Sequence, residues 1–155
     1  VALTEKQIDK RFDDLADKCR SAGIRLTRQR VEILSELAGS QSHPDADSIY
    51  EAVRRRLPRL SLDTVYRTLG SLEALGVIGK LSAFHGAARF DPDTAPHHHG
   101  VCIRCGRVSD IPSPDLDQLN LPASVRSWGE IRSVHAELRG ICRQCLRAGD
   151  ASVAD

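Results

Sequence analysis

Four of the five cysteines form two Cys-x-x-Cys pairs, Cys102 with Cys105 and Cys142 with Cys145, separated by 36 residues. Each such turn offers two sulfurs to one side of an ion. Thiolates favour zinc, and tetrahedral closure by four of them is the usual structural arrangement. The gap is longer than in a simple zinc ribbon, so the metal would staple the two ends of a small domain. In so small a unit Zn(II) can supply about 10 kcal/mol or more of folding free energy. The competing reading is a dithiol redox switch. The start of the chain, "VALTEKQIDKRFDDLADKC", has no apolar signal-like block. That favours a metal site over disulfides and an expected cytoplasmic location. The remaining thiol, Cys19, falls on an apolar helical stripe and reads as a buried small hydrophobe.

At 155 residues the chain can bury one good core or two small ones. No apolar run approaches the roughly 20 residues of a membrane span, so no membrane role is expected. Net charge is only +1, but its distribution is uneven. Lys18, Arg20, Arg25, Arg28 and Arg30 occupy a stretch without an acid. Arg54, Arg55, Arg56, Arg59 and Arg67 sit near Asp63 alone. The part beyond Gly86 is slightly acidic. A front half facing phosphates and a back half with another job would produce this asymmetry, and so would solvated helix faces.

Apolar periodicity predicts four helices. The first runs from Thr4 to Ala22, with Ile8, Phe12, Leu15 and Cys19 inward and Gly23 as its stop. The second is capped by Thr27, carries Val31, Leu34 and Leu37 inward, and ends at Gly39. The third spans Ala46 to Leu57 and is stopped by Pro58. The fourth follows Ser61, with Leu62, Val65, Leu69, Leu72 and Leu75 inward and Gly76 as its end. The period then changes. "VIGKLSAF" and "AARFD" read as strands around the turn dipeptide His85-Gly86. Helices followed by a small hairpin give the order of a winged helix-turn-helix.

"DTAP" reads as a hinge, and "HGVCIRC" and "RVSDI" as strands around the first cysteine turn. Pro114 to about Val125 is expected as one helix. "EIRSVHAELRGI" is expected as a third strand with Ile131, Val134 and Leu138 inward, and the tail after Cys145 as frayed. The fold class is therefore α+β. A winged helix-turn-helix domain (1–91), a hinge (92–96) and a small α/β domain with a structural zinc site (97–155) are expected.

On the fourth helix, Thr64, Arg67, Gly70 and Ser71 fall opposite the apolar stripe, with Tyr66 at its edge. A short face of small residues with one arginine suits entry into a major groove. Arg67 could bond guanine edges, and Tyr66 could touch a thymine methyl or a phosphate. Arg28, Arg30 and the wing's Lys80 could hold the backbone of double-stranded DNA. A plain helical bundle with exposed arginines would carry the same pattern.

His97, His98 and His99 cannot all face one way in a strand. Alternation sends His97 and His99 to one side and His98 to the other. Asp91 lies just upstream, on the wing strand, and Asp110 on the strand that pairs back beside the histidines. His43 belongs to the front half and taken alone could merely start a helix. Two or three imidazoles with two carboxylates form a mixed nitrogen/oxygen site suited to Fe(II), Mn(II) or zinc more than to calcium.

In their order, "RLTRQRVEIL", "HPDADSIYEAV", "LSLDTVYRTLGSLEALGVI", "ARFD", "HHHGVCIRCGRVSDI" and "GICRQC" resemble the ferric uptake regulator family of metal-dependent repressors, over about Ala22 to Cys145. The resemblance implies a homodimer with an N-terminal winged-helix domain and a C-terminal dimerisation domain. It implies structural zinc on Cys102, Cys105, Cys142 and Cys145. It also implies a regulatory Fe(II) or Mn(II) on His43, Asp91, His97, His99 and Asp110. Iron-uptake sensors of the family tend to have glutamates at the two carboxylate positions and peroxide sensors aspartates. By likeness the chain therefore sides with the peroxide-sensing branch, in which His43 or His97 would be oxidised to 2-oxo-histidine. A further site present in some members would need His98, Asp117 and His135. Here Pro96 stands where another histidine is common, and His135 is one residue nearer the next cysteine. The expected partner is palindromic operator DNA, with no small-molecule substrate. The rival readings are an iron- or manganese-sensing repressor of the same family and, more distantly, a metallohydrolase. No motif supplies the separate general base that the hydrolase needs.

Overall fold

A computed structural model describes residues 3–81, 86–118, 120–131 and 134–148. The chain divides into two compact units, Val1–Thr94 and Ala95–Asp155. No helix among the described residues is long and apolar enough to cross a membrane.

The first unit contains α1 (Glu5–Ser21), α2 (Arg28–Gly39), α3 (Ala46–Val53), α4 (Leu62–Ala74), β1 (Gly79–Leu81) and β2 (Arg89–Asp91). Every helix starts on a side-chain cap. Thr4 and Gln7 form a reciprocal capping box, and Thr27, Asp45 and Ser61 each accept a first-turn N–H. Two helices end in the same reversal. Gly23 (φ 73°) and Gly76 (φ 69°) take the left-handed conformation. Ile24 N–H then reaches Cys19 O, and Val77 N–H reaches Leu72 O, at 2.8 and 2.9 Å. The helices bury one shared core that includes Leu15, Cys19, Ile33, Leu34, Leu37, Ile49, Val53, Val65, Leu69 and Leu72, with Cys19 fully enclosed. Phe90 of β2 enters the same core, so the antiparallel β1–β2 wing, with Lys80 opposite Phe90, is anchored by its own apolar residue.

Two expectations fail in this unit. The third helix stops at Val53, and residues up to Leu57 continue only as hydrogen-bonded turns. Pro58 disfavours helical geometry at Leu57. Leu75, expected inward, is 55% exposed because the reversal at Gly76 begins there, and Val77 and Ile78 take its place in the core. Ser82 to His85, which hold the expected end of the first wing strand and half of its turn, lie outside the described residues.

The second unit contains β3 (His98–Cys102), β4 (Val108–Ile111), α5 (Pro114–Asp117), α6 (Ala123–Arg126), β5 (Glu137–Gly140) and α7 (Arg143–Arg147). The sheet order is β4-β3-β5. β4 pairs antiparallel with β3, with His99 opposite Asp110. β5 pairs parallel with β3, with Cys102 opposite Gly140. A parallel neighbour requires a crossover, and the α5–α6 segment supplies it.

Three expectations are corrected here. The single helix from Pro114 to Val125 is two short ones, because Pro122 lacks an N–H and restricts Leu121. The long third strand shrinks to Glu137–Gly140, and Leu138 is 47% exposed rather than inward. Ile131 and Val134 lie outside any strand. Leu146 and Arg147, expected to fray after Cys145, belong to α7 (Arg143–Arg147), and the expected tail beyond residue 148 lies outside the described residues.

The two core readings separate by mutation. Ile49→Ala should destabilise the first unit by about 2–5 kcal/mol in denaturant melts, since it opens a cavity at a fully buried position. Leu75→Ser should change stability by no more than about 0.5 kcal/mol. A large loss there would restore the inward reading of Leu75.

Candidate metal centres and nucleic-acid face

The cysteine site is built by strand pairing. β3 ends at Cys102, and a tight turn follows in which Gly106 (φ 69°) donates to Cys102 O at 2.9 Å. The parallel register then brings Gly140 beside Cys102, so the segment leaving β5 carries Cys142 and the first turns of α7 alongside. The sulfur atoms of Cys102, Cys105, Cys142 and Cys145 all lie within 4.8 Å of one another. Cys102 to Cys145 is 3.9 Å and Cys105 to Cys142 is 3.8 Å. A tetrahedron with zinc–sulfur bonds of about 2.3 Å has edges of about 3.8 Å, so these spacings fit one zinc ion. All four thiols are free of disulfide bonds.

Local dipoles already prepare the sulfurs. The Cys142 N–H donates to Cys102 Sγ at 3.3 Å and, with the Cys105 amide, pulls the Cys102 thiol down to about 6. The Cys142 thiol is also lowered, chiefly by the Cys145 amide. Cys145 is pushed up to about 12, first by its contact with Cys142 and then by Cys105. Outside the cluster, Arg104 Nη1 donates to Cys145 O at 3.2 Å and Arg107 Nη2 to Gln144 Oε1 at 2.6 Å. These contacts tie the two cysteine turns together.

At the other end of β3 the histidines alternate. His97 and His99 share one side, with ring centroids 4.4 Å apart and edge-to-face. Asp110, opposite His99 in the register, points its Oδ1 at both, 3.5 Å from His97 Nε2 and 3.8 Å from His99 Nε2. The Ala95 carbonyl lies 2.7 Å from His97 Nδ1, which fixes the proton on that nitrogen and turns the Nε2 lone pair toward Asp110. Two acceptors so close call for a proton or a cation between them. Ligands of one ion at about 2.1 Å stand about 3.0–3.4 Å apart, so a contraction of a few tenths of an ångström would complete the grip. His98 takes another role. It is 1% exposed, and its Nδ1 accepts the Ala136 N–H at 3.0 Å, pinning the segment that enters β5. His135 Nδ1 contacts His97 O at 3.2 Å. The side chain of Asp117, the remaining residue of the further-site pattern, lies outside the described residues.

The first unit holds a second donor pair. His43 Nε2 stands 3.4 Å from Asp91 Oδ2, and both residues are buried. The loop carrying His43 is stitched to β2. Arg89 Nη1 donates to His43 O at 3.1 Å, and Phe90 N–H donates to Pro44 O at 3.0 Å. These bonds hold His43 in a left-handed conformation (φ 49°), costly for a residue with a Cβ. Asp91 Oδ1 accepts the Asp93 N–H at 2.8 Å, which leaves Oδ2 facing the imidazole.

The nucleic-acid residues expected from the sequence divide into groups. Arg30, Thr64 and Arg67 line one groove of about 350 Å³ together with Thr27, Gln29, Thr68 and Ser71. Gln29 was not anticipated, although its place between Arg28 and Arg30 at the start of α2 could have suggested it. Arg67 is exposed and faces Asp63 at 3.7 Å. Arg30 also donates to Arg25 O at 2.7 Å. Arg28, Tyr66 and Lys80 are exposed on the same unit but do not line this groove. Arg56, part of the basic cluster, turns to Glu32 and Glu36 at 2.7 and 3.2 Å and serves to brace α2.

Comparison with known proteins places this architecture. The profile of the ferric uptake regulator family matches residues 21–138. The peroxide-responsive repressor PerR of Staphylococcus epidermidis is 32% identical over 145 residues, covering 94% of this chain and 97% of that protein. The Helicobacter pylori ferric uptake regulator Fur superposes with a TM-score of 0.73 at 21% identity, over 99% of both chains. A zinc-bound manganese uptake regulator superposes with a TM-score of 0.68 at 26% identity, over 83% of this chain and 98% of that one. With two-domain order, a four-cysteine cluster and a profile match over most of its length, the chain belongs to the ferric uptake regulator family, a family of metal-dependent transcriptional repressors.

Proposed function

We propose that this protein is a homodimeric repressor that binds palindromic operator DNA when a regulatory ion is held, and that it responds to hydrogen peroxide. The observation that carries the reading is the pairing of imidazoles with aspartates in both units, His43 with Asp91 and His97 and His99 with Asp110. Five residues separate Asp91 from His97. One Fe(II) or Mn(II) can therefore be gripped by all five side chains, with residues 92–96 as the hinge between a DNA-binding domain (1–91) and a dimerisation domain (97–155). Zn(II) on Cys102, Cys105, Cys142 and Cys145 holds the second domain together. Arg67, Thr64 and Tyr66 read the groove, and Arg28, Arg30 and Lys80 hold phosphates. Similarity to the peroxide-responsive repressor and the two aspartates support the peroxide signal.

The switch works by population. Without the shared grip, the hinge lets the two domains sample many orientations, and only a fraction fit two half-sites at once. DNA affinity falls by that fraction, and operator DNA in turn tightens the grip of the five ligands. Fe(II) held by these residues would supply redox catalysis, activating peroxide beside the ligands while the two electrons that reduce it are drawn from the imidazole. His43 or His97 then gains one oxygen at the imidazole carbon while the peroxide's other oxygen leaves as water. The altered ring is a poor donor, the grip opens, and repression lifts. A second reading, an uptake repressor answering to iron or manganese itself, draws on the manganese uptake regulator at 26% identity.

Band shifts on duplexes selected from a random pool should need Mn(II) or Fe(II). Peroxide should abolish the Fe(II) complex and spare the Mn(II) one, with one added oxygen on a peptide holding His43 or His97 by mass spectrometry. An unmodified peptide and unchanged binding would favour the uptake reading. His43→Ala should remove metal-dependent DNA binding while leaving one zinc per chain by elemental analysis. Cys142→Ser should lose that zinc and unfold the second domain, followed by circular dichroism. Because backbone amides already lower the Cys102 and Cys142 thiols, zinc uptake near neutral pH should release fewer than four protons. Zinc affinity should still fall as pH drops, since protons compete for the same sulfurs.

A further inference from the structure

Beside Tyr66, one of the residues proposed to meet DNA, stands an acid. Asp47, in the first turn of α3, is exposed, and its Oδ2 accepts the Tyr66 hydroxyl at 3.0 Å. Tyr66 projects from α4 and is 47% exposed, so α3 holds a side chain of the reading helix by its tip. Asp47 sits at the positive end of α3, where a carboxylate is favoured, so its own place is stable. This contact fixes what Tyr66 can do. A phenol has one hydrogen to donate, and here Asp47 takes it. Phosphate oxygens only accept, so a Tyr66 engaged this way has nothing to give them, and the carboxylate beside it repels them. What remains is the ring edge and the lone pairs of the hydroxyl oxygen, which meet base methyls and amino groups rather than the backbone.

We infer that Asp47 is a positioning residue for DNA reading, holding Tyr66 as a base-contacting side chain and keeping it off the phosphates. The inference rests on the proposed repressor reading. Asp47 should then act with opposite signs on two quantities. Its charge weakens binding to any duplex, while its hydrogen bond sharpens the choice among sequences. A further signature is in the phenol itself, whose titration is raised chiefly by the Asp47 hydrogen bond.

The test uses the full-length metal-loaded protein, a duplex selected by that protein from a random pool, and a scrambled duplex, in fluorescence anisotropy. Asp47→Ala should bind the scrambled duplex more tightly and lose about fivefold in the ratio of selected to scrambled affinity, the scale of one net hydrogen bond. Asp47→Asn, which keeps an acceptor and drops the charge, should bind both duplexes more tightly with the ratio retained. In a Tyr66→Phe background, Asp47→Ala should no longer change the ratio. Absorbance titration, with Tyr50 as the other phenol, should move one phenol downward in Asp47→Ala. If Asp47→Ala and Asp47→Asn weaken both duplexes equally, or Asp47→Ala leaves the ratio untouched in the wild-type background, Asp47 is merely structural and the inference is overturned. Circular dichroism of each variant separates that result from misfolding, and where Asp47→Ala misfolds, Tyr66→Phe, which removes the same hydrogen bond from the other side and should lose the ratio likewise, decides. If the parent protein selects no duplex at all, the repressor reading fails before Asp47 is at issue.

Discussion

The parallel pairing of β5 with β3 is the constraint on which the second unit depends. One five-residue strand carries His98 and His99 at its start and Cys102 at its end. Setting Gly140 beside Cys102 brings the second cysteine turn into reach of the first. The same ladder is entered through the Ala136 N–H bonded to His98, so the buried histidine of the run sets the lead-in to β5. Among the described residues this unit buries only a few apolar side chains, notably Val101 and Val108. A sheet so poorly supplied with core needs another source of cohesion, and a four-thiolate ion at its closing end can supply it.

The first unit solves a different problem. Its core is large enough to stand on apolar burial, with every helix contributing. Polar stitching fixes the loop from His43 to Asp45, which is bound to β2 through Arg89 and the Phe90 amide. Because Phe90 is planted in the core, Asp91 next to it inherits a fixed position, and the bonded loop brings the strained His43 to meet it. The stability of the helical core is thereby converted into precision at a donor pair. The proposed switch would need this: candidate ligands in each domain must be rigid for a joint grip to select one arrangement.

Much of this was legible from the chain alone. Capping residues and terminal glycines marked helix ends because a backbone group at each end has to be satisfied locally. Alternation separated His98 from His97 and His99 because a strand admits no other pattern. The paired cysteines announced a tetrathiolate. Other features were not legible. The periodic stretch before Gly140 looked like a long strand, yet among the described residues only Glu137–Gly140 pair, because pairing depends on the partner strand's length and not on local pattern. Leu75 matched the apolar stripe and lies outside it, because the reversal at Gly76 hands its place to Val77 and Ile78. Arg56 belonged to a basic stretch that could face phosphates or solvent, and Glu32 and Glu36, twenty residues or more away in the chain, hold it.

Sequence by itself determined the donor chemistry and the elements that carry it: four sulfurs, imidazoles alternating with a buried histidine, aspartates within reach, and a short polar face on the fourth helix. These follow from residue type and from the two backbone periods, which act over a few neighbours. Only the tertiary structure decided which side chains meet. The Cys105–Cys142 spacing, the His43–Asp91 contact and the Tyr66–Asp47 bond join residues far apart in the chain. No local rule encodes such meetings, because they arise when cores and ladders close, and the geometry of closure is a property of all the packed residues together.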